Sequence, residues 1–399
     1  MSLPAPRSAT RVDDLLARAR ARTDAVVRDL LERVEPGPAR ILAYQWGWQD
    51  AEGRELPAGG PGRGKAVRAA LVFAAARACG DPDPHPHPDS DPDPDSDPGS
   101  GVGRGPGRGA GPAPDAAALL TASAAAVELL HALSLLHDDV MDGDALRRGR
   151  PAAWRVFGAE AVEEAVRALT PHALDLAFTT LPTPAGGEGD PGDTRALRAS
   201  AQVTGLLGEA LVRLAQGQAL DLALEEEPAP EAAATLRVHA DKTGSLFACA
   251  CALGAVPAAP GAVDDLAAFG EHLGIAFQIV DDLLGIWGDP AVTGKPAGAD
   301  LTARKKSHPV AVALAPTPEA PDLARRLRAR YALPRPWTER ETREVRDLLD
   351  RSGAREVSRA VALAHERAAL AALDRIRPAS EEAGRDLRTL AAFVTDRSH

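Results

Sequence analysis

The chain has 399 residues, a formal net charge of -11 and only 4% aromatic residues. An acidic balance argues against non-specific nucleic-acid binding, because polyphosphate partners select basic surfaces, but it leaves room for a small phosphorylated substrate held by a few placed cations. The three cysteines, Cys79, Cys249 and Cys251, cannot build a disulfide framework and lack partners for a zinc site, so they read as reduced and packed.

In chain order, Met1 to Leu16 lacks the apolar core of a signal peptide. Over residues 10–34 apolar side chains recur at spacings of three and four (Val12, Leu15, Leu16, then Val26, Val27, Leu30, Leu31), which predicts an amphipathic helix ended by Pro36-Gly37-Pro38. A glycine-rich loop, 53–64, then feeds a helix starting near Lys65. From about 80 to 114 the composition turns to Asp-Pro and Gly-Arg repeats with little to bury, so this segment reads as a disordered insertion, its His85 and His87 included. Helical patterning resumes at Asp115 and runs to the C-terminus across a Gly/Pro-rich loop at about 182–192. The longest apolar run, Ala116–Leu136, is interrupted by Glu128 and His131, which counts against a stable membrane span. Helix formers dominate and β-branched clusters are scarce. The expectation is an all-α protein with one helical domain over 1–399, soluble and cytoplasmic.

Two acidic segments in apolar helical surroundings carry the chemistry. The first is Leu135-Leu136-His137-Asp138-Asp139-Val140-Met141-Asp142; the second, roughly 140 residues later, is Phe277-Gln278-Ile279-Val280-Asp281-Asp282-Leu283-Leu284-Gly285. Burying uncompensated carboxylates costs several kcal/mol each, and a hard cation shared with a phosphate-bearing substrate explains such acids economically. Asp138 and Asp142, four apart, project from one helical face, whereas Asp139 lies on a neighbouring one. Arg147 and Arg148 follow closely, a guanidinium pair suited to clamping a diphosphate. Lys65 and Arg68, three apart in a first helical turn, make another phosphate-shaped pattern.

Taken in order, the segments Gly64-Lys65-Ala66-Val67-Arg68, Glu128-Leu129-Leu130-His131, the first acidic motif, Arg147-Arg148-Gly149-Arg150-Pro151, Gly217-Gln218-Ala219-Leu220-Asp221, Lys242-Thr243-Gly244-Ser245-Leu246-Phe247, the second acidic motif, Gly294-Lys295-Pro296, Asp300-Leu301 and Lys305-Lys306-Ser307 resemble the polyprenyl diphosphate synthases. The resemblance runs from Gly64 to the C-terminus, the two low-complexity loops apart. It implies a single large antiparallel helical bundle around a central cavity, with the acidic motifs facing each other at its mouth. It implies three magnesium ions bridging Asp138, Asp142 and Asp281 to an allylic diphosphate, which Arg147, Lys242 and Lys295 also contact. Isopentenyl diphosphate is expected beside it on Lys65, Arg68, His131 and Arg148. Thr243 and Gln278 are expected to place polar oxygens near the allylic cation, and a homodimer is usual in the family.

The chain departs from the family pattern at several points. The third aspartate of the second acidic motif is Gly285, for which Asp289, one turn on, is a partial substitute. An arginine after the Gly-Lys is Ala66, a Thr-x-His is Ala152-Ala153-Trp154, and a Gly-Asp is Leu169-Thr170. Four and five residues before Asp138 stand Ser134 and Leu133, neither aromatic, so the growing chain should pass them and stop one turn deeper, at Leu130 and Leu129, about 5 Å on. That favours geranylgeranyl diphosphate. The alternatives are a regulatory, non-catalytic subunit of a heteromeric synthase, or a class I terpene cyclase, which the scarcity of aromatics disfavours.

Overall fold

The computed structural model describes residues 6–57, 62–80, 114–180, 191–289, 298–316 and 321–395. The insertion at 80–114 and the loop at 182–192 lie almost wholly outside the described residues, as does Lys295. The helices, in order, are α1 (Pro6–Leu31), α2 (Pro36–Gln45), α3 (Val67–Ala78), α4 (Pro114–Met141), α5 (Ala153–Phe157), α6 (Ala159–Asp175), α7 (Pro191–Glu226), α8 (Ala232–Val238), α9 (Ser245–Ala255), α10 (Val263–Trp287), α11 (Ala299–Thr302), α12 (His308–Leu314), α13 (Pro321–Tyr331), α14 (Glu339–Ser352), α15 (Ala354–Arg375) and α16 (Glu381–Thr395). The one sheet among the described residues pairs β1 (Leu146–Arg147) with β2 (Arg150–Pro151). The all-α expectation holds.

α1 forms where the three-and-four spacing predicts, and Val12, Leu15, Leu16, Ala19, Val27 and Leu30 are buried. Pro36, however, begins α2 instead of only ending α1. Its fixed φ suits the first helical position, where no N–H partner is needed. α9 is apolar on all sides and buried along its whole length. It packs against α3, α4, α7 and α10, while α10 packs on its other side against α15. Small residues permit this close packing: a side chain at Gly254 would overlap the Val72 carbonyl, and one at Gly270 the Phe247 carbonyl. A second core, Ile286, Leu301, Val310, Leu314, Leu349 and neighbours, joins the end of α10 to α11–α14.

α4 meets the length and hydropathy needed to cross a membrane, but 72% of its apolar window is buried inside the protein. It is a core helix of the bundle, and its C-terminal end carries the first acidic motif.

Candidate active site

α4 delivers the first acidic motif to its own C-terminal end. Asp138 is half-buried and Asp142 exposed, whereas Asp139, one residue round the helix, is only 1% exposed. Arg147 explains the difference: its Nε donates to Asp139 Oδ1 at 2.8 Å, and its Nη2 donates to the same oxygen. Burial raises the pKa of Asp139, partly offset by this guanidinium. Burial also raises that of Asp138, with Lys242 opposing and Asp142 reinforcing. The β1–β2 hairpin that holds Arg147 turns at Arg148-Gly149, both with positive φ, which matches the twist of a tight antiparallel pair.

Arg148, at that turn, donates from Nη1 to the Gly62 carbonyl at 3.0 Å. Its guanidinium also lies against Gly64, where a Cβ would come within 3.3 Å of it. Burial, and then Arg147, lowers the Arg148 pKa. Arg68 is buried, and burial lowers its pKa to about 10, with Arg148 adding repulsion. His131 is driven well below the ordinary histidine value by burial and by the charges of Arg68, Arg148 and Arg147. Arg68, Arg148 and His131 thus lie within one another's electrostatic reach, with Glu128 as a counter-charge. Lys65 faces away from them, exposed, with its ammonium 5.1 Å from the Phe393 ring of α16.

Between α8 and α9 the helix widens into a π turn, His239–Gly244. Such turns cost helix regularity and recur at functional sites. A side chain at Gly217 of α7 would overlap Lys242 N, at 2.6 Å, so only glycine lets α7 pack against it. Arg213 braces it through Asp241 at 2.9 Å and Glu271 at 2.7 Å. Lys242 Nζ thereby reaches Asp221 Oδ2 at 3.0 Å and Asp138 Oδ2 at 3.7 Å. Burial works against its charge, but Asp138 and Asp221 hold its pKa above the ordinary lysine value.

The next residue, Thr243, donates its hydroxyl to Gln278 Oε1 at 3.0 Å. Gln278 Nε2 lies 3.4 Å from Asp282 Oδ1, and Asp282 Oδ2 accepts from His308 N at 3.0 Å and lies 3.1 Å from His239 Nε2. Asp282 is therefore a buried strut, whereas Asp281, half-buried on the adjacent face of α10, points elsewhere. The π turn links the two acidic helices through Asp138, Lys242, Thr243 and Gln278.

Several residues quoted only as parts of motifs gain a partner in the fold. Asp221 has no assigned role in its motif until the fold sets it on Lys242. Glu128 Oε1 accepts from Ala69 N at 3.0 Å and so caps the first turn of α3 beside Arg68. The basic run 304–306 divides: Lys306 donates to the carbonyls ending α7, including Glu225 at 2.6 Å, while Lys305 lies in the field of Asp142, Asp300, Asp144 and Asp221, which holds its pKa up against the cost of burial. His239 and His308 had no local signal.

Among the described residues, no three His, Cys, Asp or Glu side chains converge closely enough to hold an ion by themselves. The π turn thus sets Lys242 on Asp138 of α4 and Thr243 on Gln278 of α10.

The polyprenyl synthetase family pattern matches residues 61–347. The chain is 38% identical over 361 residues to a geranylgeranyl diphosphate synthase of Mycobacterium tuberculosis, covering 90% of this chain and 88% of that protein. It is 34% identical over 392 residues to a (2E,6E)-farnesyl diphosphate synthase of Mycobacterium bovis, covering 93% and 89%. The crystal structure of a polyprenyl synthetase from Streptomyces coelicolor A3(2) superposes with a TM-score of 0.76 at 33% identity, over 96% of this chain and 99% of that one.

Proposed function

This chain belongs to the polyprenyl synthetase family and is a prenyltransferase, and from that premise we propose that it condenses isopentenyl diphosphate head-to-tail (1'-4) with an allylic diphosphate, in a magnesium-dependent reaction. The observation that carries this reading is the pairing of two unlike subsites. One is the carboxylate pair Asp138 and Asp142 beside Lys242; the other is the buried Arg68 and the exposed Arg148 around a neutral His131.

The donor set fits a hard divalent cation, since it offers carboxylate oxygens from two helices and leaves further positions to water and substrate phosphates. Asp138, Asp142 and Asp281 would hold the ions, three in number by the family resemblance. Bound magnesium would stabilise the charge that develops on the departing diphosphate as the allylic C–O bond breaks. Lys242 and Arg147 reach the same region, with Lys295 assigned there by motif alone. Arg68, His131 and Arg148 would hold isopentenyl diphosphate, with Lys65 swinging in from Phe393.

The Thr243 hydroxyl proton is committed to Gln278 Oε1, and Gln278 Nε2 to Asp282. The Thr243 Oγ1 lone pairs, left without that proton, would favour an allylic cation. Asp282, fixed by His239 and His308, sets the orientation of the amide. The isopentenyl double bond attacks the cation, and the proton then lost passes to the departing diphosphate without a side-chain base.

Geranylgeranyl diphosphate is the proposed product. Leu133 is buried and Ser134 bends its hydroxyl back to the His131 carbonyl at 2.9 Å, so neither adds an aromatic floor above Leu130 and Leu129. We also propose one helical domain acting as a cytoplasmic homodimer. Cysteines that form no disulfide suit a reducing compartment, and the exposed Leu197 and Val212 on α7 suit a partner subunit. The test is a product assay with labelled isopentenyl diphosphate and dimethylallyl, geranyl or farnesyl diphosphate in turn. A twenty-carbon limit by mass supports the assignment; a fifteen-carbon limit, or elongation well beyond twenty, contradicts it.

A further inference from the structure

α1 carries polar side chains where its buried stripe should be apolar. Leu16, Ala19, Val27 and Leu30 are buried, and Arg20, Thr23 and Asp24 fill the gap between them at the same spacings of three and four. Polar groups in such places are costly unless bonded. Thr23 is bonded locally, its hydroxyl donating to the Ala19 carbonyl at 3.1 Å. Arg20 and Asp24 reach further. Both lie ahead of Gly64, where the family resemblance begins.

Asp24 grips two segments at once. Its Oδ1 accepts from Trp46 Nε1 at 2.8 Å, just past α2, and its Oδ2 accepts from Arg63 Nη2. Arg63 keeps only 14% and Asp24 only 16% of its side-chain surface exposed, so the pair is largely shielded from solvent and its loss is felt. Arg20 Nη2 donates to the Gly64 carbonyl at 2.8 Å. The loop Gly62-Arg63-Gly64 is therefore held residue by residue: Gly62 by Arg148, Arg63 by Asp24 and Gly64 by Arg20. One cavity is lined by Arg20, Asp24, Arg63, Glu128, His131 and Arg148. At it the Nε atoms of Arg20 and Arg63 are buried and meet no acceptor among the described residues, which leaves donors for an anion.

We infer that Asp24 of α1 is a positioning residue for the isopentenyl diphosphate site, acting through Arg63. It fixes the loop on which Arg148 rests and from which α3 departs toward Arg68. Without the Asp24 charge, Arg63 loses its anchor, the loop moves, and Arg148 moves with the Gly62 carbonyl that it holds. Small displacements of a substrate-positioning group are costly. The carboxylates of the metal site are on other helices, so the effect falls on one substrate. This inference rests on the reading of Arg68, His131 and Arg148 given above.

The test is steady-state kinetics on the full chain, with isopentenyl diphosphate and an allylic primer varied in turn, beside Tm. Asp24→Asn keeps the side chain's shape and an oxygen for Trp46 but loses the charge that faces Arg63. It should raise KM for isopentenyl diphosphate about tenfold and leave that for the primer within about twofold. Asp24→Glu, which restores the charge, should return the first KM to within about threefold of wild type. If Asp24→Asn does not fold, Arg63→Lys is measured instead, and its single ammonium should raise the same KM about threefold. Wild-type KM values in the variant overturn the inference while the site reading stands. A fall in kcat and Tm with both KM values unchanged overturns it as well, as the mark of a merely structural bond, and so does an equal rise in both KM values. A folded wild-type protein that consumes no isopentenyl diphosphate removes the site reading and this inference with it.

Discussion

Arg147 Nε donates to Asp139 Oδ1 at 2.8 Å, which spends the middle aspartate of the first acidic motif on holding an arginine. Asp138 and Asp139 are neighbours in sequence with opposite duties. Removing the Asp139 charge strands a half-buried guanidinium, so Asp139→Asn should destabilise the fold by about 2 kcal/mol, below the 3–5 of fully buried pairs because Arg147 keeps some solvent contact. Asp138→Asn removes a carboxylate whose ionisation burial opposes, and should leave Tm unchanged or raised while activity falls at least a hundredfold. Urea melts and initial rates on both variants check this; equal Tm losses would contradict it.

His308 couples stability to pH. Burial, then the neighbouring His239, lowers its pKa to about 4 from the ordinary 6.5, with Asp282 opposing. The unfolded chain binds the proton more readily between those values, so stability falls as pH drops through 6.5 toward 4. From pH 7 to pH 5 the His308 share should be about 2 kcal/mol. Replacing His308 with Gln should flatten that slope in denaturation curves. A slope unchanged by the substitution would place the proton uptake elsewhere.

Gly217 is demanding for a reason of space. A methyl group there would press on Lys242 N, so Gly217→Ala should shift the π turn and lower kcat/KM about a hundredfold with helical content intact. Circular dichroism with steady-state kinetics reads both quantities. An alanine variant with wild-type kinetics would show that the turn does not need to sit where it does.

The cation pocket should separate the two substrates. Arg148→Ala is expected to raise KM for isopentenyl diphosphate at least tenfold and to leave that for the allylic substrate within about twofold. Equal rises in both KM values would merge the two subsites. His131, held neutral by its cationic neighbours, should tolerate Gln better than Ala on the same readout.

Chain length offers a direct steric test. Ser134→Phe places a ring one turn above Leu130 on α4, and the longest product should shorten to fifteen carbons by mass. Unchanged product length would put the floor on another helix.

Local patterns made much of this legible in the sequence. The three-and-four spacing of α1 and the long apolar run of α4 declare helices, and acids set in apolar surroundings declare a site. Contacts made by chain reversal were not legible. Asp221 meets Lys242 across 21 residues, and Asp282 meets the His308 backbone across 26; neither pair has any local spacing. Pro36 was read as a stop, although proline serves equally well to begin a helix. Lys65 and Arg68 look equivalent in sequence, yet the turn at Ala66, with φ of 57°, sends Lys65 outward and Arg68 inward.

The most direct measurement is incorporation of labelled isopentenyl diphosphate by the purified protein alone, with an allylic primer, with magnesium and with chelator. We predict magnesium-dependent elongation that Asp138→Ala abolishes in a chain with unchanged Tm. A folded, magnesium-replete wild-type protein that incorporates nothing with any primer would contradict the account and leave a regulatory subunit as its replacement.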